Sequence, residues 1–185
     1  MPGHELADVV RSGDAWLLSG IALMLYQGRP CRLDYTIRCR SDWTTEEAIV
    51  RGRVGADVTT LAIERTLAGE WRLDGAPAEH LVGCDDVDLG FSPSTNLLPI
   101  RRLDLAIGES APVRAAWVRF PELTLEVLAQ RYTRTGARTY RYESASGAFR
   151  RELEVNDVGF VIDYPGLWIA EPSVAADDSP RAGAP

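Results

Sequence analysis

The chain has 185 residues, 45% hydrophobic and 25% charged, with a formal net charge of −7. This length and balance predict one globular domain with a full core and exclude wholesale disorder and a fibrous repeat. The charge excludes a general nucleic-acid binder, which needs a basic face to neutralise phosphates, and disfavours a strongly anionic membrane surface.

The first apolar run, Trp16 to Tyr26, is about half the length needed to span a bilayer. It follows Glu5, Asp8 and Asp14, the wrong charge for a signal peptide, and no small-x-small cleavage site comes after it. The expected location is the cytoplasm, with no transmembrane segment. Residues 31 to 40, CRLDYTIRCR, alternate strictly, with Cys31, Leu33, Tyr35, Ile37 and Cys39 on one side and polar residues on the other. That is a half-buried antiparallel strand, joined to the preceding run by Gln27-Gly28-Arg29-Pro30 as a hairpin. Cys31 and Cys39 on one strand stand about 26 Å apart, too far for a disulfide, and the third cysteine, Cys84, forms no CxxC pair. With two histidines besides, no closed zinc site is expected; the reading is three buried thiols, no metal and no cofactor.

Further strands are predicted at 44 to 54, 57 to 67, 70 to 74, 100 to 107, 112 to 119, 123 to 134, 138 to 144, 148 to 155 and 159 to 164, punctuated by Gly69, Asp74-Gly75, Gly108, Gly136, Gly147 and Gly159. Leu123 to Gln130 has helix-forming residues, but Leu123, Leu125 and Val127 alternate and favour a strand. The expected fold is all-β with little helix: long antiparallel strands in one curled sheet, forming a β-roll or partly open barrel. It occupies residues 1 to 170, and 171 to 185, EPSVAADDSPRAGAP, reads as a flexible tail.

Polar chemistry concentrates at Cys84 to Arg102, CDDVDLGFSPSTNLLPIRR. Asp86 and Asp88 lie about 6.6 Å apart on one side of an extended segment, a spacing open to a glycosidase-like pair but equally to carboxylates paired with Arg101 or Arg102. A calcium loop lacks its further ligands and glycine placement. There is no Gly-x-Ser-x-Gly elbow and no phosphate-cradling loop, and His4 and His80 fall in predicted loops. The simplest reading is a long connection pinned by Asx turns and ion pairs, compatible with a recognition role for Asn96 and the arginines. Aromatic residues spread over many strands, including Trp117, Tyr132, Tyr164 and Trp168, suit either a packed core or an aromatic-lined cavity.

The motifs GCDDVDLGFSPSTNLLPIRRLDL, VRAAWVRFPELTLEVLAQRYTR and YRYESASGAFRRELEVNDVGFVIDYPGLW, with DYTIRCRSDWTTEEAIV and GEWRLDG before them, resemble the glycolipid-binding family of bacterial proteins from His4 to Trp168. Ser92-Pro93-Ser94-Thr95-Asn96 departs mildly from that family's Thr-Pro-Ala-Thr-Asn. The resemblance implies a rolled antiparallel sheet and brings no catalytic residue. The resulting expectation is a non-enzymatic module holding a glycolipid or acyl chain in the hollow of the sheet. Asp86, Asp88, Asn96, Arg101, Arg102, Trp117, Tyr132, Tyr164 and Trp168 are its candidate contacts. The other readings are a carbohydrate- or ester-acting hydrolase using Asp86 and Asp88, and an interaction module with a filled core. A homodimer through exposed strand edges fits any of them.

Overall fold

The computed structural model describes residues 2–171; apart from Glu171, the expected tail lies outside them. Strands take 59% of the structure and helices 9%, so the chain is essentially all-β. Instead of one curled sheet there are two seven-stranded sheets, one of them a curled half-barrel. The first is a meander of β1 (Gly3–Ser12), β2 (Ala15–Tyr26), β3 (Arg29–Cys39), β4 (Thr45–Val54), β5 (Asp57–Arg65), β6 (Trp71–Leu73) and β7 (Ala76–Pro77). The second holds β8 (Asp86–Leu89), β9 (Ser110–Arg119), β10 (Thr124–Arg134), β11 (Thr139–Ser144), β12 (Phe149–Val155), β13 (Val161–Tyr164) and β14 (Trp168–Ile169). Every pairing is antiparallel except β8 with β9. No helix among the described residues is long and apolar enough to cross a membrane.

The parallel pair explains the main departure from the sequence reading. Two parallel neighbours cannot be joined by a tight turn, so the chain must cross back over the sheet. It does so through α1 (Leu97–Leu103), where the alternation of residues 100 to 107 predicted a strand. Pro99 lies in the helix's first turn, where its missing N–H costs nothing. Leu97 and Leu98 enter one core cluster and Ile100 and Leu105 the other, so the segment is apolar on two sides rather than alternating. Four strands were not predicted at all, among them the two-residue β7 and β14. In β1, Glu5, Ala7 and Val9 face inward, but interleaved charges mask the pattern; β8 is only four residues long. His4 lies on β1, and His80 lies in a 3₁₀ turn with Nε2 2.9 Å from the Leu125 carbonyl.

The hollow of the first sheet is not free. Leu18, Leu33, Ile37 and Val50 on its inner face are at most 1% exposed and pack in one cluster with Val87, Leu89, Phe91, Leu97 and Leu98. Cys31, Cys39 and Cys84 are buried and unbridged, as expected. Gly52 on β4 lies opposite Leu33 with φ 151°, and a Cβ there would collide with the Arg32 carbonyl oxygen. Replacing it strains the backbone and pushes β3 from β4. Gly52→Ala is therefore expected to lower stability by at least about 2 kcal/mol, read as a lower urea midpoint at unchanged slope.

Candidate functional site

β8 turns Val87 and Leu89 into the core shared with the first sheet, which leaves Asp86 and Asp88 on the opposite face, toward α1. Asp86, 1% exposed, is met by Arg102 in a fork: Nε donates to Oδ1 at 3.0 Å and Nη2 to Oδ2 at 2.6 Å. Burial drives this carboxyl's pKa up and the Arg102 fork opposes it. Asp85 beside it accepts from Arg65 at 2.9 Å.

Asp88 takes a different partner. Gln130 Nε2 donates to it at 2.5 Å and to the Tyr142 hydroxyl at 3.1 Å. Tyr132 donates to Asn96 Oδ1 at 2.7 Å, while Asn96 donates to the Pro93 carbonyl at 2.9 Å. The rings of Tyr132 and Tyr142 stand 5.2 Å apart, those of Tyr142 and Tyr164 6.2 Å, and Trp168 packs on the same apolar cluster. Trp117, half-buried, neighbours Asp88 across the β8–β9 pair. Thus Asp88, Asn96, Tyr132, Tyr164 and Trp168 gather on one side of the second sheet, while Asp86 and Arg102 close on each other. Arg101 turns away, its guanidinium 5.3 Å from the Trp43 ring.

A second polar cluster has Glu5 at its centre, and none of its members was a sequence candidate. Glu5 accepts from Tyr35 at 2.6 Å and from Ser92; the Tyr35 and Ser94 hydroxyls are 2.7 Å apart. Gly20 beside Tyr35 makes this possible, since a Cβ there would collide with the Tyr35 hydroxyl. The cluster ties the edge strand β1 to the loop after β8. The signal in the sequence was a carboxylate at an inward position, legible only once β1 is recognised.

The outward face of the first sheet carries open volume. One cleft of about 750 Å³ is lined by Leu23, Met24, Leu25, Pro30, Arg32 and Arg53. Another of about 550 Å³ is lined by Leu6, Asp8, Ser19, Asp34, Thr36 and Arg51, among others. The two adjoin: His4, Leu23, Arg32 and Arg53 form one cross-strand row, and Leu6, Ile21, Asp34 and Arg51 form the next on the same face. Leu6 is 75% exposed and Leu23 and Leu25 48% each. Arg32 forks onto Asp34, whereas Arg51 and Arg53 have no carboxylate within 4.0 Å among the described residues. The sequence marked this side only as the polar half of alternating strands.

The profile of a protein family described as "Putative glycolipid-binding" matches residues 1–170. The chain belongs to this family. Its architecture is similar to the crystal structure of a DUF1089 family protein from Pseudomonas aeruginosa, with a TM-score of 0.79 and 35% sequence identity over 92% of this chain and 94% of that one. No curated protein matches the chain.

In this family member the buried acids leave a measurable signature. Burial pushes Asp88 up from 3.8 to about 6, the Gln130 hydrogen bond working against the rise. The folded state then holds the proton more tightly than the unfolded chain. Asp88's contribution is most favourable below its unfolded pKa and is lost as pH rises through its folded one. Over that window it removes at most about 3 kcal/mol. Glu5, also raised by burial, acts in the same direction. Asp88→Asn is expected to flatten the fall in stability between pH 4 and 6 relative to the parent, measured by urea unfolding across pH. Arg102→Ala leaves Asp86 buried and unpaired, with an expected loss of about 3–5 kcal/mol, and adding Asp86→Asn should recover part of it.

Proposed function

We propose that the protein binds an amphipathic, sugar-bearing lipid on the outward face of its first sheet. The observation that carries this reading is the pair of adjoining clefts, one apolar and one ringed with hydroxyl, carboxylate and guanidinium groups. An alkyl chain along Leu23 and Leu25 would place a saccharide against Asp8, Ser19, Asp34, Thr36 and Arg51, which offer both donors and acceptors to hydroxyls. Arg51 and Arg53 favour a head group that carries negative charge. The family's description supports the ligand class. The hollow of the first sheet, where the sequence reading put the ligand, is occupied by side chains, so the proposal moves it to the other side. It assigns no catalysis to Asp86 or Asp88, which are engaged by Arg102 and Gln130.

The energetics demand both halves. About ten buried methylenes yield ~8 kcal/mol, of which association takes ~4 or more, so micromolar affinity needs the head-group bonds as well. In calorimetric titration with monomeric alkyl glycosides, Leu23→Glu is expected to weaken binding at least tenfold, and Arg51→Gln to weaken anionic glycolipids more than neutral ones. Both side chains point outward, so stability should stay within about 0.5 kcal/mol of the parent. Binding that ignores Leu23→Glu would overturn the assignment. The competing reading is an interaction module, which draws on β1, a ten-residue edge strand paired only with β2 among the described residues, with Leu6 and Val10 exposed. A concentration-dependent dimer in sedimentation, broken by Leu23→Glu without any glycoside binding, would favour that reading.

A further inference from the structure

Arg101, exposed on α1, opens into a separate cleft of about 320 Å³ that it shares with Arg134, Arg138, Tyr140 and Asn156. The cleft is lined mainly by polar groups, with Ile100 and Val155 among its apolar members, and the hydrogen-bonding state of the polar groups is one-sided. Arg134 spends Nε on the Gly136 carbonyl at 3.3 Å, Nη1 on Leu105 at 2.8 Å and Nη2 on Ala137 at 3.0 Å. These bonds hold the guanidinium rigidly against Tyr140, 5.7 Å from its ring centre, without neutralising it. Two of its five N–H groups remain.

Arg101 is held without being spent. Its guanidinium lies over Trp43, and its aliphatic stem passes Gly159, where a Cβ would come within 3.4 Å of Arg101 Cδ. Among the described residues it makes no ion pair. Asn156 accepts the N–H groups of Val158, Gly159 and Phe160 at 3.0–3.1 Å on Oδ1, which leaves its amide N–H groups over. Tyr140 is 5% exposed as a whole, but its hydroxyl reaches solvent and has no protein partner among the described residues. Two carboxylates also line the cleft: Asp157 is paired with Arg138 at 2.5 Å, and exposed Asp104 closes α1 in the left-handed region. Three guanidiniums against two carboxylates leave one positive charge and a surplus of preorganised donors.

We propose that this cleft is an oxyanion site taking a phosphate monoester, with Arg101 and Arg134 as its cationic walls and Asn156 and Tyr140 as neutral donors. Paired guanidiniums match the geometry of phosphate oxygens, and donors already held in place lose little entropy on binding. A free sugar phosphate and a lipid phosphate head group share this chemistry. The site is on neither face used by the proposed glycolipid clefts, so the two readings stand or fall separately.

The test uses the full chain at constant ionic strength, titrated with inorganic phosphate, with glycerol phosphate, and with phosphatidylcholine vesicles with and without phosphatidic acid. Saturable binding is expected for at least one phosphate probe, with amide shifts at Asn156 to Phe160. Arg101→Gln should weaken it at least tenfold and Arg72→Gln, an exposed control on β6, should not. Asn156→Asp keeps the acceptor for the three backbone N–H groups and sets an anion against the ligand, so it should weaken binding as well. Soluble probes alone binding would assign a free phosphate ester, and vesicles alone a lipid head group. No saturable binding of any probe, or equal affinity in Arg101→Gln and the parent, would overturn the proposal.

Discussion

A carboxylate as deeply buried as Asp86 persists only where a cation is brought to it, and here the cation arrives on the helix that crosses from β8 to β9. Arg102 reaches Asp86 from α1, so the ion pair fixes where the crossover lies on β8. From that position Leu97 and Leu98 are delivered to the core of the first sheet and Ile100 to that of the second. An ion pair of this kind contributes little net stability compared with an apolar replacement, because desolvation offsets the attraction. Its evident effect is on placement: the crossover helix has one docked position at which both charges are satisfied.

The same segment organises the remaining buried polar groups. Ser92 and Ser94 reach Glu5 and Tyr35 on the first sheet, and Asn96 reaches Tyr132 on the second. Within five residues the loop hydrogen-bonds to both layers, and no buried side-chain polar atom is left without a partner among the described residues. Such satisfied networks rigidify what they join. The dense polar stretch from Cys84 to Arg102 is accordingly scaffold over most of its length. Its outlying member, Arg101, keeps an unspent guanidinium and borders an open cleft.

Open volume and uncompensated charge occur together elsewhere too. On the outward face of the first sheet, Arg51 and Arg53 stand beside exposed leucines. The interior is packed and polar-satisfied while the exterior holds apolar surface and free cations. In a chain of net charge −7, local basic sites of this kind have to be read residue by residue, since the overall charge conceals them.

Alternation alone determined the all-β class, the β2–β3 hairpin and the inward side of β3, because side chains on a strand have a period of two and one face must be buried. It also determined that Cys31 and Cys39 share a face without bridging. It misread residues 100 to 107, whose apolar spacing fits a strand but which a parallel β8–β9 pair requires as a crossover. It passed over β1, whose inward Glu5 is matched by Tyr35 and Ser92 from 30 and 87 residues away. The candidate residues at 84 to 102 were legible as a polar cluster. Their division was not: Asp86 and Asp88 are two residues apart in sequence, yet one binds an arginine and the other a glutamine. Partner choice, the split into two sheets and the clefts outside them were decided by tertiary structure, since each depends on which distant strand the curvature of a sheet brings within hydrogen-bonding reach.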